Sequence, residues 1–140
     1  MKQLLVNAII TPDGTRLESL HRHDYKSYVD ANGETYSVDG GLEYVRRSVN
    51  KEAAQDASVY SSDSHATIRE VFKWGTYGKS GKEKFHRKTL ASLDDEHIEA
   101  ILATQKQLNE TIRKVFRDEI DYRKTANENY KTAGEDNQEG

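Results

Sequence analysis

The order of patterns along this chain predicts an α+β fold, with N-terminal antiparallel β-hairpins packed against C-terminal helices. Three observations carry that expectation. Short segments rich in Val, Ile and Tyr flank two turn runs, Thr11-Pro12-Asp13-Gly14 and Asp30-Ala31-Asn32-Gly33, and turns of that composition between such segments make hairpins. Ile98, Ile101, Leu102, Leu108, Ile112, Val115, Phe116 and Ile120 recur at helical spacing. Beyond Lys124 the chain is polar and aperiodic, too poor in apolar surface to order itself. A single domain over 1–124 is expected, β-rich over 1–48 and helix-rich over 62–124, followed by a disordered tail over 125–140.

The first strand is Leu4 to Ile10. Both of its faces are apolar, so it is expected to be covered on both sides, by the C-terminal helices and by a partner subunit. It is hairpinned to Thr15–Leu20 through a turn in which Pro12 presets φ and Gly14 takes the final position. The second hairpin centres on Asn32-Gly33, a pair that tolerates the positive φ a type I′ turn needs at both central residues. That turn sets Val29 opposite Tyr36 and Ser27 opposite Val38, placing Tyr25, Val29, Tyr36 and Val38 on the inner face. His21 and His23 fall on the same face if the strand runs straight, and Asp24 points the other way. Gly40-Gly41 marks an ordinary turn or a close approach that a Cβ would forbid.

Val49 to Ser64 is polar and weakly patterned and reads as a loop. Ser62 or Ser64 caps a helix that runs to Phe72 and buries Ile68, Val71 and Phe72. His65 and Arg69 stand one turn apart on it, in solvent. Lys73 to Lys88 combines the only Trp with Tyr77, Phe85, three glycines and a strong positive charge; it reads as a basic hairpin at 73–89, with Phe85–Thr89 returning. Ser92 and Asp95 form a capping-box-like helix start. Two helices follow, near 93–107 and 110–124, the second restarted by Asn109, and their apolar stripe is core or oligomer interface. His97 and Glu99 are placed to pair with residues of the basic loop.

Composition narrows the functional classes. The chain has 140 residues, 34% hydrophobic and 32% charged, so its core is thin and a homo-oligomer is expected to complete it. It has no cysteine, which removes disulfides, thiol nucleophiles and Cys-ligated metals. No apolar run approaches the roughly 18–20 residues that span a bilayer, and no basic start leads into a long apolar stretch, so a soluble protein without a membrane partner is expected. The net charge of −3 makes the whole chain no polyanion binder, although the basic loop differs locally.

The candidate sites lie in two places. Ser19 to Arg47 gathers histidines, carboxylates, tyrosines, a Gly pair and an Arg pair. Arg46 and Arg47 have the guanidinium forks that match phosphate or carboxylate. Trp74, Tyr77, Lys79, Lys82 and Arg87 interleave rings and cations, the pattern that stacks a base and meets its phosphate. Alternatively, His21, His23, Asp24 and Asp39 ligate a divalent metal, which requires a bulge or bend to turn Asp24 toward the histidines. The glycines match no phosphate-cradle motif, and no nucleophile–base pair or paired acidic motif stands at an informative spacing. Solvated surface arginines and core-edge histidines are the plainer readings of the same residues.

Across nearly the whole chain except the tail, the sequence resembles a family of small uncharacterised proteins of tailed bacteriophages. The residues that carry the resemblance are His21-Arg22-His23-Asp24-Tyr25, then Val38-Asp39-Gly40-Gly41-Leu42-Glu43-Tyr44-Val45-Arg46-Arg47, Trp74-Gly75-Thr76-Tyr77-Gly78 and Asp95 to Leu102. Some shorter proteins similar around the first segment have Cys pairs at the two flanking turns, as in a zinc ribbon; here Thr11–Gly14 and Asp30–Gly33 stand at those places. The resemblance implies a phage accessory protein acting in the host cytoplasm. The leading expectation is a non-enzymatic protein, without a cofactor, that binds and neutralises a host component. That component is a defence or regulatory protein, or a nucleotide signal held by the Arg46-Arg47 region and the aromatic-basic loop. The alternatives are a metal-dependent hydrolase or nuclease on the His-Arg-His-Asp segment, and a nucleic-acid-binding module on the basic loop.

Overall fold

The structure, a computed structural model, describes residues 2–78 and 80–139, the side chains of 128–139 excepted. The fold is α+β: antiparallel sheets at the N-terminal end, three helices toward the C-terminus. The chain divides into two compact units, Met1–Asp63 and Ser64–Gly140.

The first unit holds β1 (Leu4–Ile10), β2 (Arg16–Ser19), β3 (Lys26–Val29), β4 (Thr35–Asp39), β5 (Arg46–Arg47), β6 (Gln55–Asp56) and β7 (Val59–Tyr60). β1 is the central strand: β2 pairs along one edge, β6 and β7 along the other. Every residue from Leu5 to Ile9 is buried, as an apolar pattern on both faces requires. One face is covered from within the unit, where Ile9 meets Tyr36 and Val38 of β4, with Leu17 and Ala54 at the margin. The expected loop over Val49–Ser64 contains β6 and β7. Each is only two residues long, too short to show a strand pattern; β6 is exposed and held by its pairing to β1, whereas β7 also buries Val59.

The second hairpin departs from its predicted register by one residue. β3 pairs with β4 as Lys26↔Val38, Ser27↔Ser37, Tyr28↔Tyr36 and Val29↔Thr35. Among these turn residues only Gly33 has positive φ, at 78°, so the turn is not type I′. Asp30 explains the difference: its Oδ1 accepts the backbone N–H groups of Asn32 and Glu34 at 2.9 and 3.0 Å. Gly33 N–H returns to the Asp30 carbonyl, and the extra loop residue shifts the pairing. A one-residue slip exchanges the faces of a strand. Tyr28 therefore shares the inner face with Tyr36, while Tyr25 and Val29, expected inside, are each 59% exposed.

The second unit contains α1 (His65–Val71), the hairpin β8 (Lys73–Thr76) and β9 (His86–Thr89), a 3-10 turn at Leu90–Ser92, α2 (Asp95–Thr104) and α3 (Glu110–Glu139). Ser64 caps α1, accepting from Thr67 N–H at 3.2 Å, and Asn109 Oδ1 accepts from Ile112 N–H at 2.9 Å at the start of α3. Asp94, not Ser92, caps α2: its carboxylate takes the His97 N–H at 2.9 Å, because Ser92 is spent on the Thr89 carbonyl of the preceding turn. α3 runs from Glu110 to Glu139; the tail expected over 125–140 falls mostly on residues whose side chains lie outside the description.

Ile68, Phe72, Leu90, Leu93, Ile98, Ile101, Val115 and Phe116 are the buried apolar residues of this unit, with Ile112 at their edge. Phe116 packs nearly perpendicular to Phe72 and Trp74, with ring centroids 6.1 and 5.3 Å away. At the centre is a charge, Glu119, fully buried. Arg69 grips it with Nε and Nη2, both at 2.9 Å, His65 Nε2 lies 2.9 Å from Oε1, and Arg123 Nε donates at 2.6 Å. His65 and Arg69 are thus internal partners of α3, not the solvent-facing pair the helix alone suggests. Arg123 also reaches the Leu90 and Leu93 carbonyls at 3.2 and 2.6 Å and Asp95 at 2.6 Å, tying α3 to the start of α2.

Burial alone would raise the Glu119 pKa, but the hydrogen bonds from Arg69, His65 and Arg123 outweigh it and hold the group at about 2, below its ordinary 4.5. A carboxylate whose pKa is depressed by folding contributes stability above its unfolded value, and that contribution is lost as pH falls toward the folded one. Glu119→Ala is expected to destabilise the protein by about 3 kcal/mol, since it removes the shared partner of two half-buried guanidinium groups and His65. In urea denaturation the gap between wild type and Glu119→Gln should be full at pH 6 and shrink between pH 4.5 and about 2; a gap independent of pH would contradict the assignment.

Candidate functional site

Between β8 and α2 the second unit opens into a cleft of about 630 Å³, whose walls include Trp74, Thr76, Tyr77, Glu96, His97 and Thr104. The hairpin is what shapes its mouth. Gly75 stands opposite Arg87 in the β8–β9 register, and the Phe85 ring lies directly over it; a Cβ at Gly75 would be 2.6 Å from the tip of that ring. Tyr77 packs on Phe85 with centroids 5.3 Å apart, and the Arg87 guanidinium carbon sits 5.0 Å from the Phe85 centroid. Yet Tyr77 and Phe85 remain 57% and 49% exposed. Phe85 is therefore flanked by a Tyr77 ring tilted at 58° and by a half-buried guanidinium, aromatic and cationic surface of the kind that meets a π-system and an anion.

Trp74 plays a different part. It is half-buried, packed nearly perpendicular to Phe116, and it forms the floor of the cleft rather than a free platform. Lys82 lies exposed near the hairpin tip, beside Gly81, which lines the cleft. Lys79 lies outside the described residues. The opposite wall was only partly legible: His97 stands there, but its neighbour is Glu96, while Glu99 lines another face of α2 with Asp95 and Arg123. Among the described residues, neither the Glu96 carboxylate nor the His97 ring has a side-chain partner. Helical spacing from the buried Ile101 would have put His97 on the cleft side; nothing local distinguishes Glu96 from its exposed neighbours.

The Arg pair belongs to the first unit. Arg47 turns inward, and its Nη2 is shared among Ser58 Oγ at 2.8 Å, Asp56 at 3.1 Å, Asn7 Oδ1 at 3.3 Å and the Ala8 carbonyl at 3.4 Å. That fork holds β6 and the segment after it against β1. Arg46 is exposed and lies over the Tyr44 ring at 5.5 Å, the one member of the pair free to meet an anion.

The His-Arg-His-Asp segment is a bend, not a straight strand. Asp24 N–H bonds the His21 carbonyl and Tyr25 N–H the His23 carbonyl, both at 3.0 Å, and His23 takes φ 63°. The bend reverses the expected sidedness: both histidines are exposed, and Asp24 is buried. The Asp24 carboxylate accepts the Leu20 N–H at 2.7 Å and pairs with Lys26, with His21 Nε2 at 3.8 Å. His23 turns instead to Tyr44, with Nδ1 2.8 Å from its hydroxyl, and that hydroxyl donates to Asp39 at 3.4 Å. The four residues are thus divided between two clusters, and among the described residues no three His, Asp or Glu side chains gather as a metal-holding group.

Gly41 locks this bend. Its N–H donates to Ser19 Oγ at 2.8 Å, Ser19 donates to the Asp24 carbonyl at 2.7 Å, and a Cβ on Gly41 would stand 2.5 Å from the His21 carbonyl carbon. Comparison with protein-family models, curated proteins and solved structures found no match. Gly41→Ala, which combines a φ of 53° with that backbone clash, is expected to lower stability by about 2 kcal/mol. Gly14→Ala, where no atom lies within 4 Å, should cost about 1 kcal/mol. Chemical denaturation of both variants checks the order.

Proposed function

We propose that this protein is a non-enzymatic binding protein of a tailed bacteriophage, which acts in the host cytoplasm by sequestering a host nucleotide signal in the cleft beside the basic hairpin. The observation that supports it is a cleft lined by Trp74 and Tyr77, with Phe85 packed against Tyr77 and Gly75 and Arg87 against Phe85 beside it. A base has a π-face for the rings, and its phosphates meet Arg87 and Lys82; stacking of this kind contributes about 1–3 kcal/mol per base. Sequestration asks for affinity alone, which a preformed cleft with charge-assisted contacts supplies. Arg46 is not part of this site, and Arg47 serves the fold. The phage origin rests on the resemblance around His21–Tyr25 and Val38–Arg47. Self-association, which multiplies sites, has apolar surface to use in Tyr25, Val29, Leu42, Val45 and Val49.

Titration of the full chain with nucleoside mono- and diphosphates, read by the fluorescence of the single Trp, is expected to saturate. Tyr77→Ala and Arg87→Ala should each weaken binding roughly 5- to 30-fold, with Arg46→Ala unchanged. Saturation by single-stranded oligonucleotides alone, with affinity falling steeply in salt, would identify a nucleic-acid-binding module instead. No response to either ligand would sink the proposal.

A further inference from the structure

Building on the nucleotide reading, we infer that the cleft is selective for guanine, and that Glu96 on α2 is the residue that reads the base. The inference starts from what the wall of the cleft offers. Of the three acidic residues in the first half of α2, Asp95 is taken by Arg123 at 2.6 Å and Glu99 lies on another face. Glu96 alone of these lines the cleft, together with Trp74 of β8 and Tyr77 just beyond it. It is exposed, carries no side-chain partner among the described residues, and is adjacent to His97, whose ring is likewise unengaged.

A carboxylate accepts hydrogen bonds and donates none, and it is best satisfied by two parallel N–H donors. Guanine alone among the common bases presents two adjacent donors on its pairing edge, N1–H and the N2 amino group, with the O6 acceptor beside them. Glu96 takes the donors and an imidazole N–H of His97 takes O6. Adenine sets one amino group beside a ring-nitrogen lone pair, which faces a carboxylate unfavourably. Uracil sets a single N–H between two carbonyls, and cytosine repeats the donor–lone-pair mismatch. A site that pairs hydrogen-bonding groups discriminates strongly against analogues that leave them unmatched. Contact with the rings of Trp74 and Tyr77, which line the same cleft, is indifferent to base identity, so selectivity comes from Glu96 and His97.

The test is equilibrium titration of the full chain with GMP, IMP and AMP, read by the single Trp. GMP is expected to bind at least about tenfold more tightly than AMP, with IMP, which lacks the N2 amino group, between them. Glu96→Gln presents one donor and one acceptor, the complement of adenine, so the preference should shift toward AMP; a merely structural Glu96 would not move it. Because Glu96 is exposed and has no side-chain partner among the described residues, the variant should melt with the wild type. Equal affinity for the three nucleotides, with Tyr77→Ala still weakening all of them, would overturn the role of Glu96 and leave nucleotide binding standing. Failure of all three to bind would overturn both.

Discussion

The helical unit depends on a carboxylate that stays charged out of contact with water. Glu119 brings together two cations of different helices, Arg69 of α1 and Arg123 of its own α3, and an imidazole, His65. Each contact has a direction, which an apolar residue at the same place would lack. A Leu at position 119 would accept many packings of α1 on α3; a carboxylate gripped by the Arg69 fork accepts few. Through Arg123 the constraint extends to the carbonyls that end the 3-10 turn, and so to the point where α2 departs. The wall that carries Glu96 is therefore positioned from the far side, by a charge that never touches the cleft.

The β-rich unit solves a similar problem with one guanidinium. β6 and β7 are two residues each and could not hold an edge of β1 by ladder bonds alone. Arg47 reaches across them, and the Ser58 hydroxyl, Asp56 carboxylate and Ala8 carbonyl converge on one nitrogen. A short strand is thus retained by a side chain from the neighbouring sheet. This is also why an arginine pair that reads from sequence as an anion grip is split between an inward clamp and an outward cation.

Elements set by local chemistry were legible in the sequence: the Pro12–Gly14 turn, the Ser64 and Asn109 caps, and the basic hairpin each follow from a few adjacent residues. The failures share a cause. The register of the second hairpin turned on whether the Asp30 side chain would bind the loop backbone, and that choice moved Tyr25 and Val29 to the outside. Asp24 is inside because the chain bends at His23, a conformation dictated by Gly41 pressing from about twenty positions away. Both Glu119 pairings with helix α1 span fifty or more positions; the i,i+4 spacing of His65 with Arg69, and of Glu119 with Arg123, is visible in each helix, but nothing local joins them. For the candidate site, the aromatic and basic half was visible as a dense run, whereas Glu96 acquires its place only when α2 folds over β8.

Gly75 gives the hairpin an economy of motion. The tip of the Phe85 ring occupies the volume a side chain would have filled, and the ring is braced by Tyr77 and Arg87. A flexible lysine-rich loop would have to surrender rotamer freedom as it closed on a ligand, a cost of roughly 0.5–1.5 kcal/mol for each side chain immobilised. Here Phe85, Tyr77 and Arg87 hold one another in place at folding, so that for the binding role proposed above little is left to order on encounter, and the missing β-carbon of a single residue supplies that rigidity.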